Sequence, residues 1–221
     1  MMYRYYINKG VLVFIDVKDK TSFIEGKDTL IIDFTGEVSK LMKYVYLLRK
    51  GEGGYRRVIV VSDTISKVNR QFLKLFKKIR AAGGLVVNDK EELLFIYKNQ
   101  RWRLPKGKIK KKESKKDAAL REVSEEANVR DLKIVKKLGV TNTLKQSEGG
   151  RWTVKICHWY LMTAPIQKLA PRQEEGIEKA FWMSLNDYKT LNPKVSMPLK
   201  NIVNFASFFK METKVVEYEQ A

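Results

Sequence analysis

The sequence predicts an α/β (α+β) protein in two parts: a small α/β N-terminal domain over residues 1–80 and a larger domain over residues 81–221. Three observations carry this. In the first 80 residues, short apolar runs alternate with segments whose apolar residues recur every three or four positions, the marks of strands and of half-buried helices. Beyond residue 81, several strand-like runs surround one Glu-rich helical segment, and further helical patterns come only near the end. A hydrophobic share of 44% over 221 residues is enough for one large core or two small ones.

The elements follow in order. Residues 3–7 and 11–16 flank Asn8-Lys9-Gly10, a hairpin signal. Leu30 to Phe34 reads as a third strand. Val38, Leu41, Met42, Val45 and Leu48 mark an amphipathic helix that Gly51 ends. The loop Gly51-Glu52-Gly53-Gly54 has neither the lysine nor the spacing of a phosphate-binding loop, so it reads as a turn. Arg57 to Ser62 is a strand, and Ile65, Val68, Phe72, Leu75, Phe76 and Ile79 mark a second helix. That helix carries Lys67, Arg70, Lys74, Lys77 and Lys78 on its other face.

In the second part, Ala81 to Val87 and Leu93 to Tyr97 read as strands around the turn Asn88-Asp89-Lys90. Pro105 forces an extended approach through Trp102 and Leu104. A helix is expected from Ser114 to Ala127, opened by Ser114 with Asp117 in a capping-box-like arrangement and closed by Asn128, which tolerates a left-handed turn. Ile134 to Val140, Trp152 to Thr163 and Ile177 to Met183 supply further strands, with Gly149-Gly150 turning between the first two. Residues 184–191 and about 198–210 read as helices.

The central helix carries the chemistry. Glu122, Glu125 and Glu126 stand at i, i+3 and i+4, which sets three carboxylates along one edge. Ala119, Leu120, Val123 and Ala127 form the flank to be buried. Crowded carboxylates repel, and an all-oxygen acidic cluster suits a hard divalent ion such as Mg2+ or Mn2+. Asp117 and Glu125 both lie four residues from Arg121, so Arg121 is placed to orient a carboxylate.

Composition narrows the partners. The formal charge is +19, from 44 Lys and Arg against 25 Asp and Glu. Such a chain attracts polyanions: phosphorylated small molecules, or nucleic acid through the basic N-terminal unit. No apolar run approaches a membrane span, and the N-terminus lacks a signal-peptide layout, so no membrane partner is expected. The single cysteine, Cys157, suits a reducing cytoplasm and reads as core packing within a strand. His158 is the one histidine, and no nucleophile-elbow motif accompanies it. It reads as a strand residue. A homodimer is compatible with this reading.

The segment from Gly107 through Val129 resembles the Nudix box, G-x5-E-x7-R-E-U-x-E-E-x-G-U with U aliphatic. Gly107, Glu113, Arg121, Glu122, Val123, Glu125, Glu126 and Val129 match, and Asn128 stands where the family has Gly. The resemblance implies an α/β/α sandwich with a mixed sheet and hydrolysis of a diphosphate linkage in a nucleoside diphosphate derivative or a related compound. It implies metal contacts from Glu122, Glu126 and the Gly107 carbonyl, with Glu125 as base or second-metal ligand and Arg121 orienting the glutamates. Relatives also draw the base from late loops, where Glu174, Glu175 and Glu178 are candidates or plain solvated acids. Arg103, Lys106 and Lys108 are placed to grip phosphates. The run Trp102 to Gly107 resembles members acting on diadenosine polyphosphates or diphosphoinositol polyphosphates, whose charge complements this chain. Trp102, Trp152, Tyr160 and Trp182 are candidates to stack on a base. Two other readings stand beside this one: a nucleotide-sensing regulator without catalysis, and RNA 5′-end pyrophosphohydrolysis.

Overall fold

The computed structural model of the protein describes residues 2–22, 26–191 and 202. The chain separates into two compact units, one of residues 1–79 with 141–156 and one of residues 80–140 with 157–221. This differs from a division into 1–80 and 81–221 by one residue at the boundary and, more substantially, in residues 141–156, which group with the first unit. The reason lies in two long strands. The strand expected to stop at Val140 runs on as β9 (Lys133–Gln146). With β10 (Trp152–Thr163) it carries Leu144, Trp152 and Val154 into the core of the first unit.

The first unit opens with β1 (Met2–Ile7) and β2 (Gly10–Ile15), an antiparallel hairpin closed at Ile7 opposite Gly10. β3 (Thr29–Asp33) and β4 (Arg57–Val61) follow, with β4 lying between β2 and β3 and parallel to both. β1 also pairs in parallel with β9 through Tyr5–Asn142 and Tyr6–Thr143. Helix α1 (Met42–Lys50) follows a 3-10 turn at Val38–Leu41 and ends at Gly51, whose φ of 75° takes the left-handed conformation. Val38, Leu41, Val45 and Leu48 pack with Leu12, Phe14, Val58 and Val60. Helix α2 (Ile65–Phe72) adds Ile65, Val68 and Phe72 to the same cluster. Alternation then sends Val11, Val13, Ile15, Ile59 and Val61 to the other sheet face.

The expectation that α2 continues to Ile79 is corrected. The helix tightens into a 3-10 turn at Leu73–Leu75 and Phe76 is extended, so Lys77 to Ile79 begin β5 (Lys77–Val87). The 3.6-residue pattern runs past the end because Phe76 still turns inward, its ring 4.9 Å from that of Phe72. Leu75, by contrast, is exposed.

In the second unit the strand order is β11–β6–β5–β10–β9, with β6 (Leu93–Lys98) and β11 (Ile177–Met183) antiparallel. Two short strands hang on this sheet, β7 (Arg101–Arg103) on β6 and β8 (Lys106–Lys108) on β5. Helix α3 (Lys115–Ala127) covers one face, its Ala118, Ala119, Val123 and Ala127 meeting Ala82, Val86, Leu94, Ile96 and Met162. The opposite face carries Leu85, Leu93, Phe95, Trp159 and Leu161, with Tyr188 of α4 (Leu185–Leu191) stacked on Phe95 at 5.3 Å and with Ile202 in the same cluster. Helix, mixed sheet, helix is the α/β/α sandwich that the box resemblance implies. The helix expected at about 198–210 lies outside the described residues apart from Ile202.

Candidate active site

Local sequence fixes α3 at both ends. Ser114 is extended, and its hydroxyl accepts the Asp117 backbone N–H at 3.1 Å, which satisfies one of the four unpaired donors of the first turn. Asn128 ends the helix at φ 55° and ψ 43°, the left-handed turn that the sequence expectation assigns to it. Between these caps, the edge beside the buried alanines carries the acids.

Two of those acids are buried: Glu122 is 7% exposed and Glu126 3%. Glu126 Oε2 accepts the backbone N–H of Lys106 at 2.8 Å. Burial pushes the Glu126 carboxyl above its ordinary range, with Glu122 and Glu175 adding to the rise and Lys106 opposing it. Glu122 sits against Gly107. A Cβ at Gly107 would fall 1.8 Å from Glu122 Oε2, so only glycine lets the β8 backbone meet this carboxylate. The helix approaches the sheet closely for a related reason: a Cβ at Gly84 would lie 3.0 Å from Val123 of α3.

Arg121 binds the acids together. Its Nη1 donates to Glu122 Oε1 at 2.8 Å and to Glu125 Oε2 at 3.1 Å. Its Nε and Nη2 take both oxygens of Glu113, at 2.6 and 2.9 Å, and Nη2 also reaches the Lys108 carbonyl at 3.0 Å. Glu113 matches the box, but sequence reasoning gives it no task; its two-point grip on Arg121 supplies one. The Arg121 guanidinium, followed by the Lys110 backbone N–H, holds the Glu113 carboxyl down at about 2. Of the two i, i+4 neighbours of Arg121, Glu125 accepts from it, and Glu113 takes its other two nitrogens.

A second arginine was not foreseen. Arg172 Nη1 donates to Glu125 Oε2 at 2.9 Å and lies 3.3 Å from Glu175 Oε1. The Arg172 and Ala170 backbone N–H groups also cap the Glu126 and Ala127 carbonyls at 3.2 and 3.1 Å. The loop before β11 is thereby tied to the end of α3, and Glu175 comes into the electrostatic range of Glu126. Glu174 and Glu178 are exposed. No pattern in the sequence around Arg172 marks it, because the contact spans 47 residues.

The phosphate-gripping candidates arrive on β7 and β8. Lys106 meets Glu126 through its backbone, and Lys108 meets Arg121 through its carbonyl. Arg103 is half-buried, with Nε on the Lys98 carbonyl at 3.3 Å. Burial and then Arg101 lower its pKa, while Glu126 raises it. The aromatic candidates divide: Tyr160 is core, Trp102 packs edge-on to Phe181 at 4.4 Å, and Trp182 Nε1 donates to the Gln167 carbonyl at 3.0 Å. Trp152 belongs to the other unit. Cys157 is buried. His158 Nδ1 is buried with no hydrogen-bond partner among the described residues. Burial, then Lys115, Lys137 and Arg80, favours its neutral form. A cavity of about 500 Å3 beyond the end of α3, lined by Asn128, Arg130, Asp131 and Gln167 among others, includes none of the candidate acids.

The donor set suits a hard divalent cation by type. Two buried carboxylates and a glycine backbone offer oxygens alone, and the missing side chain at Gly107 is what lets the Glu122 carboxylate lie against that backbone. Among the described residues, no three acid, histidine or cysteine side chains already converge as a ligand group. Arg121 and Arg172 hold Glu122 and Glu125 through charge-assisted bonds instead.

Solved structures of similar fold include a C. elegans Ap4A hydrolase in a binary complex, at 19% identity and TM-score 0.46, over 60% of this chain and 98% of that one. A MutT protein from Methanosarcina mazei Go1 aligns at 21% identity and TM-score 0.44, over 62% and 96%. A MutT NUDIX hydrolase from Burkholderia pseudomallei aligns at 23% and 0.42, over 50% and 86%. A family model, the NUDIX domain, matches residues 77–203. That match takes in more than half of the 221 residues and the whole of the acidic helix with its glycine loop, and so this chain belongs to the Nudix family.

Proposed function

We propose that this protein hydrolyses a diphosphate linkage with the help of Mg2+ or Mn2+. The observation that carries the reading is the pair of buried carboxylates, Glu122 and Glu126, set against the Gly107 loop and braced by Arg121. Burying two acids side by side is costly; Arg121 already offsets Glu122, and a divalent cation would offset Glu126 as well. Glu122, Glu126 and the Gly107 carbonyl would hold the ion. When bound, such an ion neutralises phosphate oxygens and lowers the pKa of a coordinated water.

The chain's own residues do the rest. Arg121 fixes the carboxylates in place, spanning from Glu113 on one side to Glu122 and Glu125 on the other. Glu125 serves as base or as second-metal ligand; its Oε2 is shared by two guanidinium groups and its Oε1 lies 4.0 Å from Lys110 Nζ. Glu175 is the alternative base from the late loop. Arg103, Lys106 and Lys108 bind phosphate groups, which supports in-line attack through positioning and charge stabilisation.

A polyphosphorylated substrate, such as a diadenosine polyphosphate or a diphosphoinositol polyphosphate, fits best. The support is the +19 balance and the run of cations at 101, 103, 106, 108 and 110–112 around the box. No helix among the described residues is long and apolar enough to cross a membrane.

The test is a panel of diadenosine polyphosphates, diphosphoinositol phosphates, sugar nucleotides and triphosphorylated RNA, assayed with Mg2+ or Mn2+. Glu126→Gln is expected to cut the rate at least about a hundredfold, roughly 2.7 kcal/mol of transition-state stabilisation. Full activity in that variant would remove the metal assignment, and tight nucleotide binding without turnover on any substrate would favour a sensor.

A further inference from the structure

The two helices of the first unit share an unusual outer surface. Both turn their apolar faces into one cluster on the same side of the sheet. Neither helix contains an acidic residue. On α1 and the turn before it, Lys40, Lys43, Arg49 and Lys50 are exposed, and on α2 and the turn after it, Lys67, Arg70 and Lys74 are exposed. Positions 40, 43 and 50, and positions 67, 70 and 74, each follow the i, i+3 spacing and its near multiples that line up along one helix face. Like charges at such spacing destabilise a helix, and acids interspersed among them would relieve it, as Glu113 relieves Arg121 elsewhere in this chain. Here the helices themselves supply no acid; Lys50 meets Glu52 of the following turn at 3.1 Å, an exposed pair of the kind worth little in water. The α1 row, from Lys40 to Lys50, extends about 15 Å.

A second and independent feature lies within the row. Tyr46 is 39% exposed and falls between Lys43 and Arg49 on the same stripe. Its ring is held, not loose: Trp152 Nε1 donates to the Tyr46 hydroxyl at 3.2 Å, and the two rings meet edge-on at 5.6 Å. Arg49 sits over the Trp152 ring at 5.8 Å and bonds Gln146. An aromatic face fixed among cations is the arrangement that takes an unstacked base while the cations follow its backbone.

We propose that this helical face of the first unit binds single-stranded nucleic acid, with Lys43, Lys50, Lys67, Arg70 and Lys74 on phosphates and Tyr46 under a base. An anionic membrane is the weaker match. A helix lying on lipid turns its apolar side outward, whereas the apolar sides of α1 and α2 pack into the core and the exposed aliphatic side chain beside them is Leu75, in the turn after α2.

The experiment uses the full chain and a fluorescein-labelled oligouridylate of about twelve nucleotides, a length within the site sizes of single-strand binders, followed by anisotropy over a salt series. Affinity is expected to fall linearly in log–log form with salt, by about 0.7 in slope per phosphate contact. Replacing Lys43, Lys50, Lys67, Arg70 and Lys74 by Gln is expected to raise Kd at least tenfold and to flatten that slope by about two or more. The control removes five exposed lysines of the second unit, at 90, 133, 137, 168 and 179, and is expected to leave Kd within about twofold. Tyr46→Ala is expected to weaken binding at least about fivefold while Tyr46→Phe, which keeps the ring, holds it. Melting curves of each variant show that the fold is intact. Equal loss in the control, no binding at low salt, or displacement of the RNA by vesicles of phosphatidylcholine with about one-third phosphatidylserine would each overturn the proposal.

Discussion

Glu113 and Arg121 form a two-point contact in the candidate site, with bonds at 2.6 and 2.9 Å. Since the folded Glu113 pKa of about 2 lies below its ordinary 4.5, the ion pair contributes stability above pH 4.5 and loses it as pH falls through 2. Thermal melts of the wild type are therefore expected to drop over that window more than melts of Glu113→Gln, which lacks the titrating group. Gly107 sets a steric limit at the same scale. Gly107→Ala places a methyl group on Glu122 Oε2, so Glu122 must move; a stability loss of about 1–3 kcal/mol is expected, together with a fall in kcat, measured by denaturation and by turnover. Both residues stand in the box. What that motif does not reveal is the division of labour, in which Glu113 faces Arg121 while Glu122 and Glu126 face the loop.

Helix α3 was legible because its signals are local: a serine cap, an alanine-rich buried flank and an asparagine stop. Ser114→Ala is expected to cost about 1 kcal/mol in a denaturant titration. Asn128→Gly keeps the left-handed turn and is expected to match or exceed wild-type stability, whereas Asn128→Val is expected to lose about 1–2 kcal/mol, since a branched side chain strains that conformation. The misread elements failed for physical reasons. Phe76 keeps helical spacing while the backbone has already become extended, so periodicity alone carries α2 too far. β9 outruns Val140 because Asn142 and Thr143 pair with β1 through the backbone, which side-chain polarity does not report. Arg172 was illegible because its partner on α3 is remote in sequence.

On the scale of the whole molecule, the charge of +19 favours anionic ligands in general, and metal linkage separates the proposed site from that background. Mg2+ or Mn2+ at about a hundred times its Kd is expected to add about 2.7 kcal/mol to stability, read as a rise in melting temperature that Glu122→Gln and Glu126→Gln both abolish. A chelator is expected to remove hydrolysis, and added metal to restore it. The two compact units do not correspond to two stretches of chain. Leu144, Trp152 and Val154 complete the first core although they are encoded between segments of the second. Cutting the gene at codon 80 would leave the upstream fragment with an unfilled hydrophobic cleft and the downstream fragment with an unclothed hairpin. The half that carries the acidic helix is thus no detachable cassette: evolution, or an engineer, must inherit both halves together.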